Sequence, residues 1–382
     1  MIRKLPYALA ALAVLLAAVV VGWRVLAPAE VLEPAVDPYP VAATLPAGVT
    51  GKTTMAPLIV DDRIRVYAAD RLVKADAPVE AKTMYTPRWS YRRWPERLTG
   101  VVAVSTTVVT RWSDGDLVAL DGRTGTLVWR VGGPPRTASR GGPGRPRSGR
   151  RRGCTSAGTS VLVTDGRRLI ARAVADGAQR WSAELPPGCG DGFVTAGGRY
   201  VCGTGAWDVI SGGAVRGWPA GPSTATGCDV ARSGCAGLRD ASGQGWLVGG
   251  RLPERAPALD DPAATAAGDL VLTASGGAVT ASRAGRELWR RDGAARVLGV
   301  RAGKAVLLTP DDRLVIVDAA TGAQRAEFPL FVAKERVDAW KPHAWQLTDG
   351  FVAIERLRSA AGTDPDEPNH YYTMDPVIIA AL

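Results

Sequence analysis

LVALDGRTGTLVWRV, residues 117–131, is a β-branched apolar run, a turn and a second run carrying a tryptophan. Its turn glycine, Gly125, precedes Trp129 by four positions. The same offset returns in LIARAVADGAQRWSAEL with Gly177 and Trp181, and in AVTASRAGRELWRRD with Gly285 and Trp289. LVIVDAATGAQRAEFPL keeps Asp318, Thr321 and Gly322 but has Ala326 in the tryptophan's place. WDVISGGAVRGWPA holds a looser copy ending at Trp218. Landmarks recur about 37–71 residues apart, which is the spacing of stacked or radial units rather than of one ordinary core.

Each unit reads as strands. LVAL, LVIV and VLLT are short runs bounded by DG, DD, GG and TG turn signals. Glycine in the TG turn supplies the positive φ of a tight connection, and Asp121 or Asp318 before it can accept backbone hydrogen bonds. The tryptophan then stands on the outer strand, where its ring can pack against the next unit. Gly125, Trp129, Gly177, Trp181, Trp218, Gly285, Trp289 and Gly322 are the candidate blade-docking residues. A row of similar antiparallel sheets hides its edges by radial closure into four-stranded blades. Units fall near 98–131, 155–185, 192–220, 226–257, 265–291, 296–330 and 343–382. The run at 55–76 is assigned to the blade begun by the C-terminal strands HYYT and PVIIAA, so that both chain ends meet. The expectation is an all-β β-propeller of seven blades over 55–382, or eight if 55–99 is a blade of its own.

The pattern SDGDLVALDGRTGTLVWRV resembles the PQQ-like β-propeller repeat, shared by quinoprotein dehydrogenases and the BamB-type outer-membrane assembly lipoproteins. The resemblance covers about 98–330. With its N-terminal segment and GC-rich bias, the whole chain looks like the membrane-anchored actinobacterial members of that group, which carry no settled activity. For a quinoprotein dehydrogenase the resemblance implies a quinone and a calcium ion in the funnel. It implies a Glu-Asn-Asp calcium set, an aspartate base and often an adjacent cysteine pair. The chain has no Cys-Cys dipeptide, and its single asparagine, Asn369, stands near the C-terminus in EPNHYY. No cofactor is expected, and a PQQ-dependent alcohol or sugar dehydrogenase is the alternative.

The chain opens MIRKLPYALAALAVLLAAVVVGWRVLAPAE, with no charge from Leu5 to Val21. Roughly 20 apolar residues span a bilayer core, so 5–27 reads as a transmembrane signal-anchor helix. Arg3 and Lys4 leave residues 1–4 in the cytoplasm. The competing reading is a signal peptide cleaved at Ala27-Pro28-Ala29. Either way the bulk of the chain is exported, and 28–54, rich in proline, reads as a spacer from membrane to ring. Export suits the five cysteines. Cys189 with Cys202 and Cys228 with Cys235 are the expected disulfides, leaving Cys154. Zinc is disfavoured, because there is no CxxC and only two histidines occur, His343 and His370.

Other chemistry is thin. No GxSxG or P-loop pattern occurs, and both histidines read first as structural. The pairs Asp61-Asp62, Asp260-Asp261 and Asp311-Asp312 read as solvated turns. GGPPRTASRGGPGRPRSGRRRG, 132–153, carries Arg136, Arg140, Arg145, Arg147, Arg150, Arg151 and Arg152 with no acid. It supplies +7 of the net +10 and is expected to be a disordered loop between blades. It is either a tolerated insertion or an attachment to anionic lipid or wall polymer. Without interleaved aromatics on an exported chain, nucleic acid is excluded as partner. PRWSYRRWPERL, 87–98, is expected to pack Trp89 and Trp94 onto the first blade with arginines stacked on them, the alternative being a recognition lip on the ring's face. The resulting expectation is a single-pass cell-membrane protein whose propeller, outside the cytoplasm, binds an envelope protein without catalysis. A small-ligand sensor using the funnel is a further alternative.

Overall fold

The computed structural model describes residues 14–15, 29–81, 87–133, 154–164, 167–187, 189, 192–203, 205–219, 221–229, 233–332, 339–357 and 377–382. Eight antiparallel sheets follow one another along the chain and form an eight-bladed all-β propeller. In chain order blades 1–7 occupy 58–94, 98–131, 155–184, 193–208, 224–255, 264–292 and 296–329. Blade 8 combines Lys341–Leu347, Phe351–Leu357 and Val377–Ala381 with the early strand Gly48–Thr53. The count is eight, not seven, because 58–68 pairs forward with Leu72–Asp76 and Trp89–Trp94 to make its own blade.

Ring closure falls to a different segment from the one expected. Gly48–Thr53 pairs with Val377–Ala381, from Gly48↔Ala381 to Thr53↔Val377, with a bulge between Val49 and Gly51. Ala29–Glu33 pairs with Trp89–Trp94 and becomes a fifth, outermost strand of blade 1. The stretch 29–53 is therefore built into the ring at both its ends, and does not serve as a spacer. Its prolines fall between the two strands, where no ladder donor is needed. Gln346 adds a second closure: its side-chain amide accepts from Ile59 N at 2.7 Å and donates to Ile59 O at 3.0 Å. That joins the innermost strands of blades 8 and 1. Gln346→Leu leaves both backbone groups buried and unpaired, and is expected to lower stability by about 2 kcal/mol in a urea titration.

One contact repeats around the ring. The indole of Trp129 lies on Gly177 of the next blade, and its Nε1 donates to Val174 O at 2.7 Å. Trp181 does the same to Gly212 and Val209 O at 3.0 Å, and Trp289 to Gly322 and Ala319 O at 3.0 Å. Trp89 of blade 1 takes Gly125 and Gly122 O at 2.8 Å. In each case the acceptor is the carbonyl three residues before the glycine. The turn glycines hold φ of +73° to +75°. That conformation costs glycine nothing and brings the bare backbone against the ring face.

Two expected docking residues stand outside this pattern. Trp218 packs against the Phe193, Leu238 and Val248 cluster of blades 4 and 5 and touches no turn glycine. Blade 4 is three-stranded, and only the bridge Trp207↔Ala214 stands where an outer strand would run. GGAVRGWPAGP has too much glycine and proline to extend it. Gly285 has φ +75° and nothing within 4 Å of a Cβ position. The preceding blade ends in the two-residue strand Glu254–Arg255, which brings no indole. Of the helix expected at 5–27 only residues 14–15 are described, and they are helical; residues 1–4 and the strand HYYT lie outside the described residues. Among the described residues no helix is long and apolar enough to cross a membrane.

Candidate functional site

The strand order gives the ring two unlike faces. On one, here the turn face, each blade's first strand turns into its second and its third into its fourth. On the other, the link face, chain passes from blade to blade. Tight turns dominate the first. The link face holds the two longest connections, 132–154 between blades 2 and 3 and 358–376 within blade 8.

Down the middle runs a cavity of about 520 Å³ lined by innermost strands, with Val101, Val102, Ala266, Val297 and Ala344 among its walls. The wall is mostly small and aliphatic because these positions are crowded by eight converging strands. Its charged members, Asp229 and Arg301, stand at the turn-face mouth. There Arg301 Nε donates to Asp349 Oδ1 at 2.9 Å, and Arg301 Nη1 stands 3.4 Å from Asp229 Oδ2. Lys304 Nζ donates to the carbonyls of Asp349 and Leu382 at 2.9 and 3.0 Å. Partial desolvation pushes the Asp229 carboxyl above its ordinary range, Arg301 opposes that, and the like charge of Asp349 adds to it.

Asp229 belongs to a turn closed by the Cys228–Cys235 disulfide. That turn is tied to blade 4, because Cys235 N donates to Val194 O at 2.9 Å and Ala196 N to Cys235 O at 2.8 Å. The second disulfide joins Cys189 to Cys202, as the spacing suggested, and Cys154 is buried outside both pairs. His343 lines the channel with Nε2 3.9 Å from Oε2 of the buried Glu355. His370 and the arginines 136, 140, 145, 147, 150, 151 and 152 lie outside the described residues. The aspartate pairs serve turns. Asp61, Asp62 and Asp312 take positive φ, Asp62 accepts from Gly350 N at 3.1 Å across the closure, and Asp260 accepts from Gly245 N at 2.7 Å.

Calcium beside a quinone requires six to eight oxygen ligands. Asp229 is the only carboxylate among the described channel-lining residues, and Arg301 already engages it. Among the described residues no group of three His, Cys, Asp or Glu is placed to hold a metal ion. These donors do not fit the calcium–quinone pair.

Sequence patterning does not mark where apolar side chains are left outside. Val36, Val41, Ile210 and Leu252 are 97%, 86%, 83% and 56% exposed, and all four stand on the turn face. Ile210 and Leu252 sit in the corresponding turns of neighbouring blades 4 and 5. Val36 and Val41 belong to the stretch between Glu33 and Gly48. It is held down by Ala35 N donating to Thr124 O at 2.7 Å and by Arg88 reaching Pro38 O at 2.9 Å.

In sequence, residues 113–217 match the family model described as outer membrane protein assembly factor BamB. No curated protein matches the chain significantly. Among solved structures it is similar to BamB from Moraxella catarrhalis, at 15% identity over 89% of this chain and 99% of that one, TM-score 0.43. The C-terminal WD40 domain of Sif2 is similar at 11% identity over 88% and 98%, TM-score 0.49. Quinohemoprotein alcohol dehydrogenase from Comamonas testosteroni is similar at 14% identity over 87% and 75%, TM-score 0.43. The chain folds as a β-propeller, and its residues 113–217 are similar to the PQQ-like repeat family of that model.

Proposed function

We propose that this propeller is a non-catalytic interaction or scaffolding module at the cell envelope, tethered by the apolar stretch 5–27 and presenting its turn face to a partner protein. The observation that carries the reading is that the four most exposed large apolar side chains of the described ring, Val36, Val41, Ile210 and Leu252, all stand on one face. Scattered single apolar side chains need no explanation, but Ile210 and Leu252, in corresponding turns of adjacent blades on the loop-built face of a rigid ring, fit a docking surface. Two disulfides suit an oxidising compartment outside the cytoplasm. The link face would then look toward the membrane, because Ala29, where the described ring begins, pairs with Trp94 at the link-face end of blade 1. The arginine-rich connection 134–153 leaves and rejoins the ring on that same face, between Val131 and Thr155. Its charge suits anionic lipid or wall polymer.

The test is cross-linking in native membranes of the parent chain beside Ile210→Asp with Leu252→Asp. Both side chains are exposed, so the ring is expected to stay folded while the cross-linked partner is lost. Retention of the same adduct at the same yield would overturn the turn face as the docking site. A parallel arm adds PQQ and calcium to the purified chain. Tight binding with dye-linked alcohol or sugar oxidation would favour the dehydrogenase instead.

A further inference from the structure

We propose that the link-face rim of blade 1, centred on Trp94 and Arg71, sits in the lipid headgroup layer beside the point where the chain leaves the bilayer. This rests on the tethered reading given above. The argument begins with the register Ala29↔Trp94 and Val31↔Arg92. Directly opposed residues on antiparallel strands keep their Cβ atoms about 4.5–5.5 Å apart on one face of the sheet. The apolar stretch ends at Ala27, two residues before that pair. Two residues extend at most about 7 Å. No long spacer intervenes, so Trp94 is held at the bilayer surface rather than swinging free of it.

The chemistry of the rim matches that position. Trp94 is 37% exposed and Val31 38%. Arg71 stacks over the Trp94 ring at 4.4 Å, and its Nε donates to Pro95 O at 3.0 Å. Arg92 and Arg97 are exposed on either side. Asp70 pairs with Arg71 at 3.2 Å and Arg97 at 3.7 Å, and Glu96 is taken by Ser113. Guanidinium groups bind phosphate oxygens in two-point fashion, and a half-exposed indole with polar surroundings suits the interface between water and acyl chain. The outer strand itself is locked. Tyr91 Oη donates to Glu30 at 3.0 Å, Arg130 Nη1 stands 2.8 Å from Glu30 Oε2, and Ser90 donates to Glu33 at 2.7 Å. Ring and tether therefore move together.

The experiment uses the full chain with Val31→Cys carrying a nitroxide, reconstituted into vesicles of phosphatidylcholine with phosphatidylglycerol. A second sample carries the label at Ile210→Cys on the opposite face. Collision with a water-soluble nickel complex is expected to be several-fold lower at position 31 than at position 210. Trp94→Glu and, separately, Arg71→Gln are expected to raise it at position 31. Equal nickel accessibility at the two positions, in vesicles that carry the protein through flotation, would overturn the docked rim while leaving the tether standing. Failure to float with the vesicles would remove the tether and the docked rim together.

Discussion

Gly125→Ala is expected to cost about 2–5 kcal/mol of stability, while Gly285→Ala costs about 1 kcal/mol. Both glycines occupy the same turn of their blades, at φ +73° and +75°. An alanine pays the left-handed backbone penalty equally at either site. The difference lies in what stands above. A Cβ at position 125 would meet Trp89 Cβ at 2.4 Å and Cγ at 2.5 Å, whereas position 285 is open. Trp89 is 1% exposed and cannot turn aside without breaking its 2.8 Å bond to Gly122 O. Urea titrations of the two variants, followed by circular dichroism, isolate the indole contact from the backbone term. Equal losses would mean that the indoles do not hold neighbouring blades together.

Removing the Cys189–Cys202 bridge by paired serine substitution is expected to lower stability by about 3 kcal/mol, the loop-closure value for a loop of this length. The two cysteines are 13 residues apart. Both are buried, so the bridge belongs to the core of blade 4 and not to its surface. Blade 4 is also the thinnest, with strands of two, four and four residues at Phe193–Val194, Arg199–Cys202 and Gly205–Asp208. It has the least backbone pairing to fall back on. Native-state hydrogen exchange of the serine variant should therefore show 193–208 opening at lower free energy than the remaining blades. Uniform exchange across all blades would contradict a locally limiting blade 4.

Much of the ring was legible in the glycine–tryptophan spacing, because that spacing records a physical contact repeated from blade to blade. The contact crosses units, however, and so fails where a neighbour lacks the right strand. Trp218 shows the right residue type without a blade geometry to use it, and Gly285 shows the right turn without an indole to receive. The closing strand was missed for a related reason. GVTGKT has two glycines and little apolar content, while LIV and IRVYA nearby look more like buried sheet. Apolar content marks burial, but what selects Gly48–Thr53 is a partner at Val377–Ala381, far away in the chain. The exposed turn-face side chains were illegible for the same cause: Ile210 and Leu252 are brought into corresponding turns of adjacent blades only through blade order.

That closing strand also sets a clock on biosynthesis. Thr53 emerges from the ribosome long before its partner Val377, and 377 − 53 leaves 324 residues still to be made. At about 5–20 residues per second that interval is roughly 15–65 s. Throughout it the nascent protein carries a strand without its berth, the kind of bare ladder that other chains can capture. The bulge at Val49–Gly51 and the charge of Lys52 make it a poor template for strangers. The circle is completed only once the last five-residue strand has been delivered.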